Sequence, residues 1–387
     1  MINQRLSCST YHPRPYHQPS RMPGSPMSSA AVPSDRALGF HVLQPGELDL
    51  VLAGHKAFLA NARNGKRAML LSSYLAQSDL SNCQLSTADL SGSVLSGANL
   101  KFANLSGATL YCCEMSCIDG RYTNFAHADM RGVTLNGSNL AHARLDGADF
   151  RAGRLLKTVP GSTSAMIDRN GSAAGVDFSY CSLNGASFEG ADLKGANFTG
   201  AMIVATKFRG ARMTGVTLKG AIFTDVDISE MQLPPEAFKD CIMPPGSEAL
   251  ASTYQIKFCL SAHQNWVESD GRRGTCAVLD GMDLRPFASQ IGKYRLTAMS
   301  AKRVIAAGVD FSCTELQGAN FEGADLRGAS FEGADLRGVR FRGALLHHAK
   351  FLGADMRPLQ LKSGDALPCD LADTAFSAAQ RGEAVFS

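Results

Sequence analysis

An apolar residue recurs at every fifth position of this chain, held in phase for dozens of residues. A smaller residue, usually alanine, stands two places before most of these positions, and glycine stands two places after many of them. A period of five fits neither the turn of an α-helix nor the alternation of a strand. It therefore predicts a repeat architecture. The clearest series is Phe311, Leu316, Phe321, Leu326, Phe331, Leu336, Phe341, Leu346, Phe351, Met356 and Leu361.

Each repeat unit reads Ala-Asp/Asn-Leu/Phe-x-Gly, as in residues 324–328. In a short extended piece, the central residue and the alanine two places before it point to the same side. Glycine then supplies the positive φ that the tight turn at the next corner requires. Short sides joined by regular corners make a coil, and successive coils stack with strand-like hydrogen bonds. The motif therefore predicts a solenoid whose interior holds alanine beside leucine or phenylalanine.

These tandem units resemble the pentapeptide repeat family over roughly two thirds of the chain. The resemblance implies an all-β solenoid, a right-handed four-sided parallel β-helix with four pentapeptides per coil. Side chains 20 positions apart would then stack about 4.8 Å apart. We expect Phe331 to lie between Phe311 and Phe351, and Phe198 to lie over Phe178.

Breaks in the repeat divide the chain into two predicted β-helical modules, each preceded by an amphipathic helix that we interpret as an N-terminal cap. A tail rich in Pro, Ser and Arg comes first, and we expect it to be disordered, with Met22 or Met27 as alternative starts. It has no signal-peptide pattern. The expected segments are a disordered tail at 1–37, a cap helix at 38–67, a β-helix at 68–233 with a loop insert at 156–175, a linker and second cap helix at 234–276, and a second β-helix at 277–387 with an irregular insert at 287–308 and a weakened C-terminal coil.

An internal duplication links the two modules. The stripe containing His55 matches the stripe containing His263, and the heptapeptide Ala-Ala-Gly-Val-Asp-Phe-Ser occurs at 173–179 and again at 306–312. Register also predicts two exposed ion pairs between neighbouring coils, worth about 0.2 to 1 kcal/mol each. These pairs are Glu189 with Arg209, and Glu322 with Arg342.

At the C-terminus the register continues through three apolar residues but places two unsuitable residues in inward positions. We expect the last coil either to fray or to pair with another chain, so a homodimer through the C-terminal coil is one possibility. The inward apolar residues are Leu371, Phe376 and Phe386, and the unsuitable ones are Ala366 and Arg381.

Histidine is the first candidate for a functional site, because His55 and His263 occupy equivalent positions. No carboxylate or nucleophile repeats with them, so we interpret each as a packed histidine that hydrogen-bonds the adjacent turn. Trp266 lies on the same stripe and is interpreted as core. His347 and His348 fall at an outward corner, where we expect solvent.

Cysteine is the second candidate, with 11 in the chain. The register turns Cys113 inward and Cys112 and Cys117 outward, and no zinc or redox spacing occurs. Cys83 and Cys181 fill small inward positions like Cys113, as small apolar residues would. Ile118 fills another such position beside Gly120, which we interpret as a compensating exchange of volumes.

Two glycine-flanked basic turns, 65–67 and 271–274, offer the alternative of anion binding. We expect no catalytic site, cofactor or metal.

Charge decides between the function classes. The chain carries a net charge of +3, and the runs 70–155, 176–233 and 309–361 each hold one more acid than base. Some members of the resembled family mimic DNA and act on DNA gyrase with a strongly acidic rod, but these runs lack such a field. We expect no nucleic acid as a partner.

The first hypothesis is therefore a scaffold that presents rigid faces to a protein partner, since rigid surfaces reduce the ordering cost of association. The DNA-mimic modulator of gyrase and a secreted effector remain as alternatives. The candidate partner site is the low-charge segment 72–99. No apolar stretch is long enough for a membrane span, and the free thiols favour a cytoplasmic location.

Overall fold

The repeats wind into coils whose neighbours are joined by parallel β-bridges. In this computed structural model, which describes residues 40–157, 165–361, 363–374, 380 and 383–386, Asp89 bridges Thr109 and Val94 bridges Glu114, each 20 positions later. The backbone amide of Leu90 donates to the carbonyl of Thr109 at 2.8 Å. With one bridge every five residues and 20 residues per coil, each coil has four sides.

Phenylalanine ladders fill the interior, as predicted. Phe331 lies between Phe311 and Phe351, with ring centroids 5.3 Å and 5.2 Å away. Phe178 stacks on Phe198 at 5.1 Å. Such stacked pairs contribute about 0.5–1.5 kcal/mol beyond the burial of their area. The assignment of inward and outward positions is therefore confirmed along these ladders.

Two hydrophobic cores form, one for each run of repeats. The first includes Leu70 and Phe223, and Phe238 and Met243 pack against it from beyond the expected end at residue 233. The second includes Leu279 and the ladder at Phe311 to Phe351. We refer to residues 68–243 as the first run and residues 277–386 as the second run.

Helices and short strands accompany the coils. No helix in the described part of the chain has the length and apolar character needed to cross a bilayer. The α-helices are α1 (Glu47–Leu59), α2 (Ser247–Ala251), α3 (Thr253–Glu268) and α4 (Ala288–Ile291), and the 3-10 helices are Ile228–Met231, Pro235–Phe238 and Arg285–Phe287. The strands are β1 (Gly153–Lys157), β2 (Ala165–Arg169), β3 (Met202–Val204), β4 (Ile222–Thr224), β5 (Leu359–Gln360) and β6 (Ala366–Leu367).

Each of the two long helices places a buried histidine against the start of a run. The amide of Ala68 donates to Nδ1 of His55 at 3.1 Å, and Nε2 of His55 contacts the carbonyl of Ser86 at 3.0 Å. In the same way, the amide of Ala277 donates to Nδ1 of His263 at 3.1 Å. The predicted hydrogen bonds from these histidines to the adjacent turn are confirmed.

The first interruption of the coils is the antiparallel hairpin β1–β2. Regular bridging continues across it, because Thr134 pairs with Ser172. The hairpin also covers Cys112, which is buried although the register turns it outward. The register predicts that Cys112 points outward, but it cannot show what covers a coil from outside, and here the hairpin residue Gly153 lies against the Cys112 thiol. Residues 158–164 of the predicted loop insert lie outside the described residues, as does the predicted disordered tail at 1–37.

The predicted irregular insert at 287–308 is largely regular. Only the short helices at 285–291 interrupt the coil, and Ser300 already bridges Asn320. The five-residue pattern is hard to recognise in this part of the sequence because large and small residues exchange places. Met299 and Val304 fill the small positions, while Ala301 and Ala306 occupy the large ones, and all four are buried. This is the same exchange as at Ile118 and Gly120.

The second run is interrupted near its end by the hairpin β5–β6. Arg340 therefore bridges Asp370, 30 positions later, so Leu361 and Ala366 lie in or beside the hairpin and are exposed. The inward positions expected for these two residues are wrong. Leu371 and Phe386 pack against the second core as expected, whereas Phe376 and Arg381 lie outside the described residues.

One of the two predicted ion pairs forms. Arg209 Nη2 lies 3.0 Å from Glu189 Oε1. The prediction for Arg342 is wrong, because its Nε pairs with Asp370 at 3.0 Å instead of Glu322. Because the hairpin β5–β6 interrupts the coil, Asp370 lies on the next coil, and its carboxylate is within reach of Arg342.

Candidate functional site: the seam between the two runs

One corner of the first run carries a column of outward-facing rings. Tyr122 stacks on Phe102 at 5.1 Å and on His142 at 4.7 Å, and His142 stacks on Tyr180 at 5.2 Å. The left-handed backbone at these corners points each side chain along the outside of the coil. We call this the corner column, and its members, all with positive φ, are Phe102, Tyr122, His142, Tyr180, Gly200 and Gly220.

Glycine ends the series of rings for a steric reason. A Cβ at Gly200 would lie 2.5 Å from the Tyr180 ring, so a larger residue would displace that ring. With no side chains at Gly200 and Gly220, another part of the chain can reach the backbone carbonyls there.

Arg327 of the second run uses this opening. Its Nη1 donates to the carbonyl of Gly200 at 2.9 Å and to the carbonyl of Gly220 at 2.8 Å. The same guanidinium pairs with Asp325, and the Arg327 side chain is only 3% exposed. A buried ion pair is tolerated when its remaining hydrogen-bonding groups also find partners. The two carbonyls provide such partners.

His347 continues the contact one coil later. Its ring lies 4.5 Å from the Tyr180 ring and 5.2 Å from the His142 ring. Nε2 of His348 contacts the carbonyl oxygen of Tyr180 at 2.6 Å. The prediction that His347 and His348 are solvated at an outward corner is therefore wrong, because the first run lies against that corner.

The two runs lie side by side and antiparallel, within one compact unit, Gly39–Ser387. Arg285, near the start of the second run, donates to the carbonyl of Met243 at 3.0 Å, near the end of the first. Later residues of the second run meet earlier residues of the first, as His347 meets His142. This contact surface is called the seam.

Burial in the seam keeps its histidines neutral. It lowers the pKa of His347 to about 4, and the neighbouring His142, His348 and Arg327 act in the same direction, because a protonated His347 would be repelled by any of them that is charged. Burial is also the main reason that the pKa values of His142 and His348 are lowered. The stacked imidazoles therefore carry no charge near pH 7.

An open groove of about 1170 Å³ follows the seam. Its lining includes apolar residues from both runs, with Met202, Val204 and Ile222 from the first and Ala307 from the second. Among the described residues, no group of His, Cys, Asp and Glu is placed to hold a metal ion. The seam is thus a contact between two parts of the same chain, and its polar groups align the two runs.

The other sites considered from the sequence have local roles. A Cβ at Gly65 would lie 2.4 Å from the backbone of Phe58, and one at Gly274 would lie 2.1 Å from the carbonyl of Ala262. Both glycines therefore let a basic turn approach its helix closely. Trp266 is half-buried and stacks on His263 at 5.6 Å.

The cysteines in inward positions behave as small side chains with a weak donor. Sγ of Cys113 lies 3.0 Å from the carbonyl of Leu90, and Sγ of Cys181 lies 2.9 Å from that of Leu140. Both are fully buried, whereas Cys83 is only partly buried.

Sequence comparison identifies repeats in both runs. The family model described as "Pentapeptide repeats" matches eight copies. The matched residues are 73–111, 121–152, 174–210, 296–328, 307–343 and 324–357. No curated protein matches the chain.

Among solved structures, two similar proteins are HetL and QnrB1. HetL, a pentapeptide repeat protein involved in heterocyst differentiation regulation from the cyanobacterium Nostoc sp. strain PCC 7120, is 18% identical, with 89% of this chain and 97% of HetL covered and a TM-score of 0.21. QnrB1, a plasmid-mediated fluoroquinolone resistance protein, is 20% identical, with 49% of this chain and 94% of QnrB1 covered and a TM-score of 0.22. Similarity at this level carries no argument about function.

Proposed function

Because the chain belongs to the pentapeptide repeat family, whose repeats imply a right-handed quadrilateral β-helix, we propose that it is a non-enzymatic scaffold for protein–protein interaction. The observation that carries this proposal is the seam. One side of the first run already packs against a folded β-helix of the same chain, through Arg327 on two backbone carbonyls and His347 against the rings of both His142 and Tyr180. A rigid side of this kind loses little freedom when a partner docks.

The same side extends beyond the seam towards the start of the first run. One β-ladder connects Gln84, Asn104, Asn124 and Arg144, and continues through Ser182, Met202 and Ile222 into the seam. Gln84 and Asn104 stand on coils ahead of the seam, where the predicted low-charge segment 72–99 also lies. We propose that these early coils receive the protein partner.

Local ion pairs argue against the alternative of a DNA mimic. Arginines two places after an aspartate fold back on it, as Arg131 does on Asp129 and Arg151 on Asp149, each at 2.7 Å. Such pairing neutralises the negative charge of the β-ladder that contains Asp129 and Asp149. Unchanged supercoiling by DNA gyrase in the presence of micromolar protein would agree with this, and inhibition or protection would revive the alternative.

We also propose that α1 and α3 are caps that cover the first coil of each run. Both helices present a buried histidine to the first inward alanine of the run, Ala68 or Ala277. Unpaired backbone at the end of a β-solenoid invites association, and terminal units with a polar outer face prevent it.

The scaffold proposal is tested by affinity capture with the full chain and with a variant that lacks residues 80–99. This deletion removes one whole coil and so preserves the register. A Phe258→Asp variant, which alters an exposed ring on α3, is the matched control. Loss of a captured protein from the deletion variant alone supports the partner site. An identical set of captured proteins for all three chains would dismiss the site, and specific capture of none would speak against a scaffold.

A further inference from the structure

The corner column continues past the end of the seam as an exposed pair of rings. Within the seam, His347 covers His142 and Tyr180. Ahead of it, Phe102 and Tyr122 keep the same stacking geometry but are 55% and 44% exposed. The two rings therefore form an uncovered extension of a surface that packs against the second run elsewhere along its length.

Uncharged amides flank this pair of rings on one side. Asn104 Nδ2 donates to Gln84 Oε1 at 3.2 Å, and Asn124 Nδ2 donates to Asn104 Oδ1 at 3.1 Å. Each amide has two N–H donors and two acceptor lone pairs. Asn104 Oδ1 already accepts from Asn124 and from the backbone amide of Ser106, so Asn104 can only donate further, whereas Gln84 and Asn124 each keep an acceptor lone pair as well as an N–H donor. An identical row of amides can therefore be its hydrogen-bonding partner.

Charges on the other side of the rings balance one another. Asp119 lies 2.7 Å from Arg121 and 3.7 Å from Lys101. Asp79 stands on the same ladder as Asp119, with Asn99 between them. Two acids and two bases thus leave no net charge that would repel a second copy of the same surface.

We propose that two copies of this chain associate weakly through these surfaces, with Phe102 and Tyr122 of one copy against the same rings of the other. This inference rests on the proposed function, because it uses the uncovered part of the same side. In a twofold dimer each patch meets its own copy, so the patch must be complementary to itself. Stacked rings, amides and balanced charges meet that requirement. A stable interface buries roughly 800 Å² per partner, and because this patch spans only about three coils we expect the association to be weak.

Sedimentation equilibrium of the full chain tests the proposal over about 5–500 µM, a range suited to a weak dimer. We expect the average mass to rise from one chain of 41.1 kDa towards two. The double variant Phe102→Asp and Tyr122→Asp should stay at the mass of one chain throughout. Aspartate tolerates the left-handed backbone of these corners better than most residues, and unchanged circular dichroism would show that the variant is folded.

Two controls make the outcome specific. Phe258→Asp removes an exposed ring far along the chain and should leave the dimer unchanged. Val385→Asp alters an exposed side chain of the C-terminal coil, the other surface predicted to form a dimer. A wild-type chain that stays monomeric overturns the proposal, as does a dimer abolished by Val385→Asp and kept by the double variant. Neither result bears on whether a different protein is captured through residues 80–99. The scaffold function is therefore tested independently of the dimer.

Discussion

The Arg327 guanidinium donates to the carbonyl of Gly200 at 2.9 Å although 127 residues separate the two along the chain. Its side chain is buried together with that of Asp325. Removing one member of a buried ion pair costs about 3–5 kcal/mol, because the other charge is left without a partner. We therefore expect Arg327→Ala to lower the midpoint of urea unfolding and to speed hydrogen exchange in the coils around Gly200.

Arg337 is the matched control, since residues 334–338 repeat the pentapeptide at 324–328 letter for letter. Arg337 pairs with Asp335 in the same way, but its side chain is 36% exposed. An exposed pair contributes about 0–1 kcal/mol, so Arg337→Ala should have a small effect. Equal shifts for the two substitutions would mean that the seam contact has no special importance.

This pair of identical pentapeptides also shows what the sequence can predict. The five-residue period determines which side chains enter the shaft, and it correctly places Leu326 and Leu336 in the core. The period contains no information on what packs against the outer surface of each side of the coil. Asp325 and Arg327 are buried only because a run more than 100 residues earlier folds alongside them. The ladders could therefore be predicted, whereas the seam and the burial of His347 and His348 could not.

The exchange of volumes between Met299 and Ala301 accounts for another difference. A search for leucine or phenylalanine at every fifth position fails where alanine takes the large position and methionine takes the small one. The total volume in the shaft is what packing requires. The summed volume of the two inward side chains on each side of the coil stays nearly constant, and this sum indicates the coil between residues 296 and 308.

Acid is expected to open the seam through its histidines. The folded-state pKa of His347, about 4, lies below its ordinary value of 6.5. The folded state thus favours the neutral ring, and its contribution to stability is complete above pH 6.5 and is lost as the pH falls from 6.5 towards 4. The groups around His347 are His142, His348, Arg327 and Asp325, and those around His348 also include Asp146 and Arg144.

Small-angle X-ray scattering checks this expectation. The radius of gyration should rise within that pH window as the runs separate, while far-UV circular dichroism stays nearly constant. His347→Phe keeps a ring in the stack without a titratable group, so it should move the rise to lower pH. The same titration curve for both chains would refute a role for His347.

Removal of the buried histidine that contacts the start of each run, His55 or His263, should destabilise that run. His55→Ala leaves the amide of Ala68 and the carbonyl of Ser86 without their partner, and an unsatisfied buried group costs about 1–3 kcal/mol. The loss should appear in urea unfolding, with exchange protection lost first near residue 68. His127→Asn alters an exposed ring at a left-handed corner that asparagine tolerates, and it should change stability by less than about 0.5 kcal/mol. A similar loss for both variants would contradict the assigned contact.

Thiol reactivity should separate the cysteines by their place in the coil. The thiolate is the reactive species, and burial raises the pKa of Cys113 to about 12 and also raises that of Cys181. Cys117 and Cys313 are exposed. We expect iodoacetamide to label these two in the native chain at pH 8, and Cys113 and Cys181 only after unfolding in urea, as peptide mass spectrometry would show. Labelling of Cys113 as fast as Cys117 in the native protein would mean that the small inward position opens to solvent, contrary to its packing here.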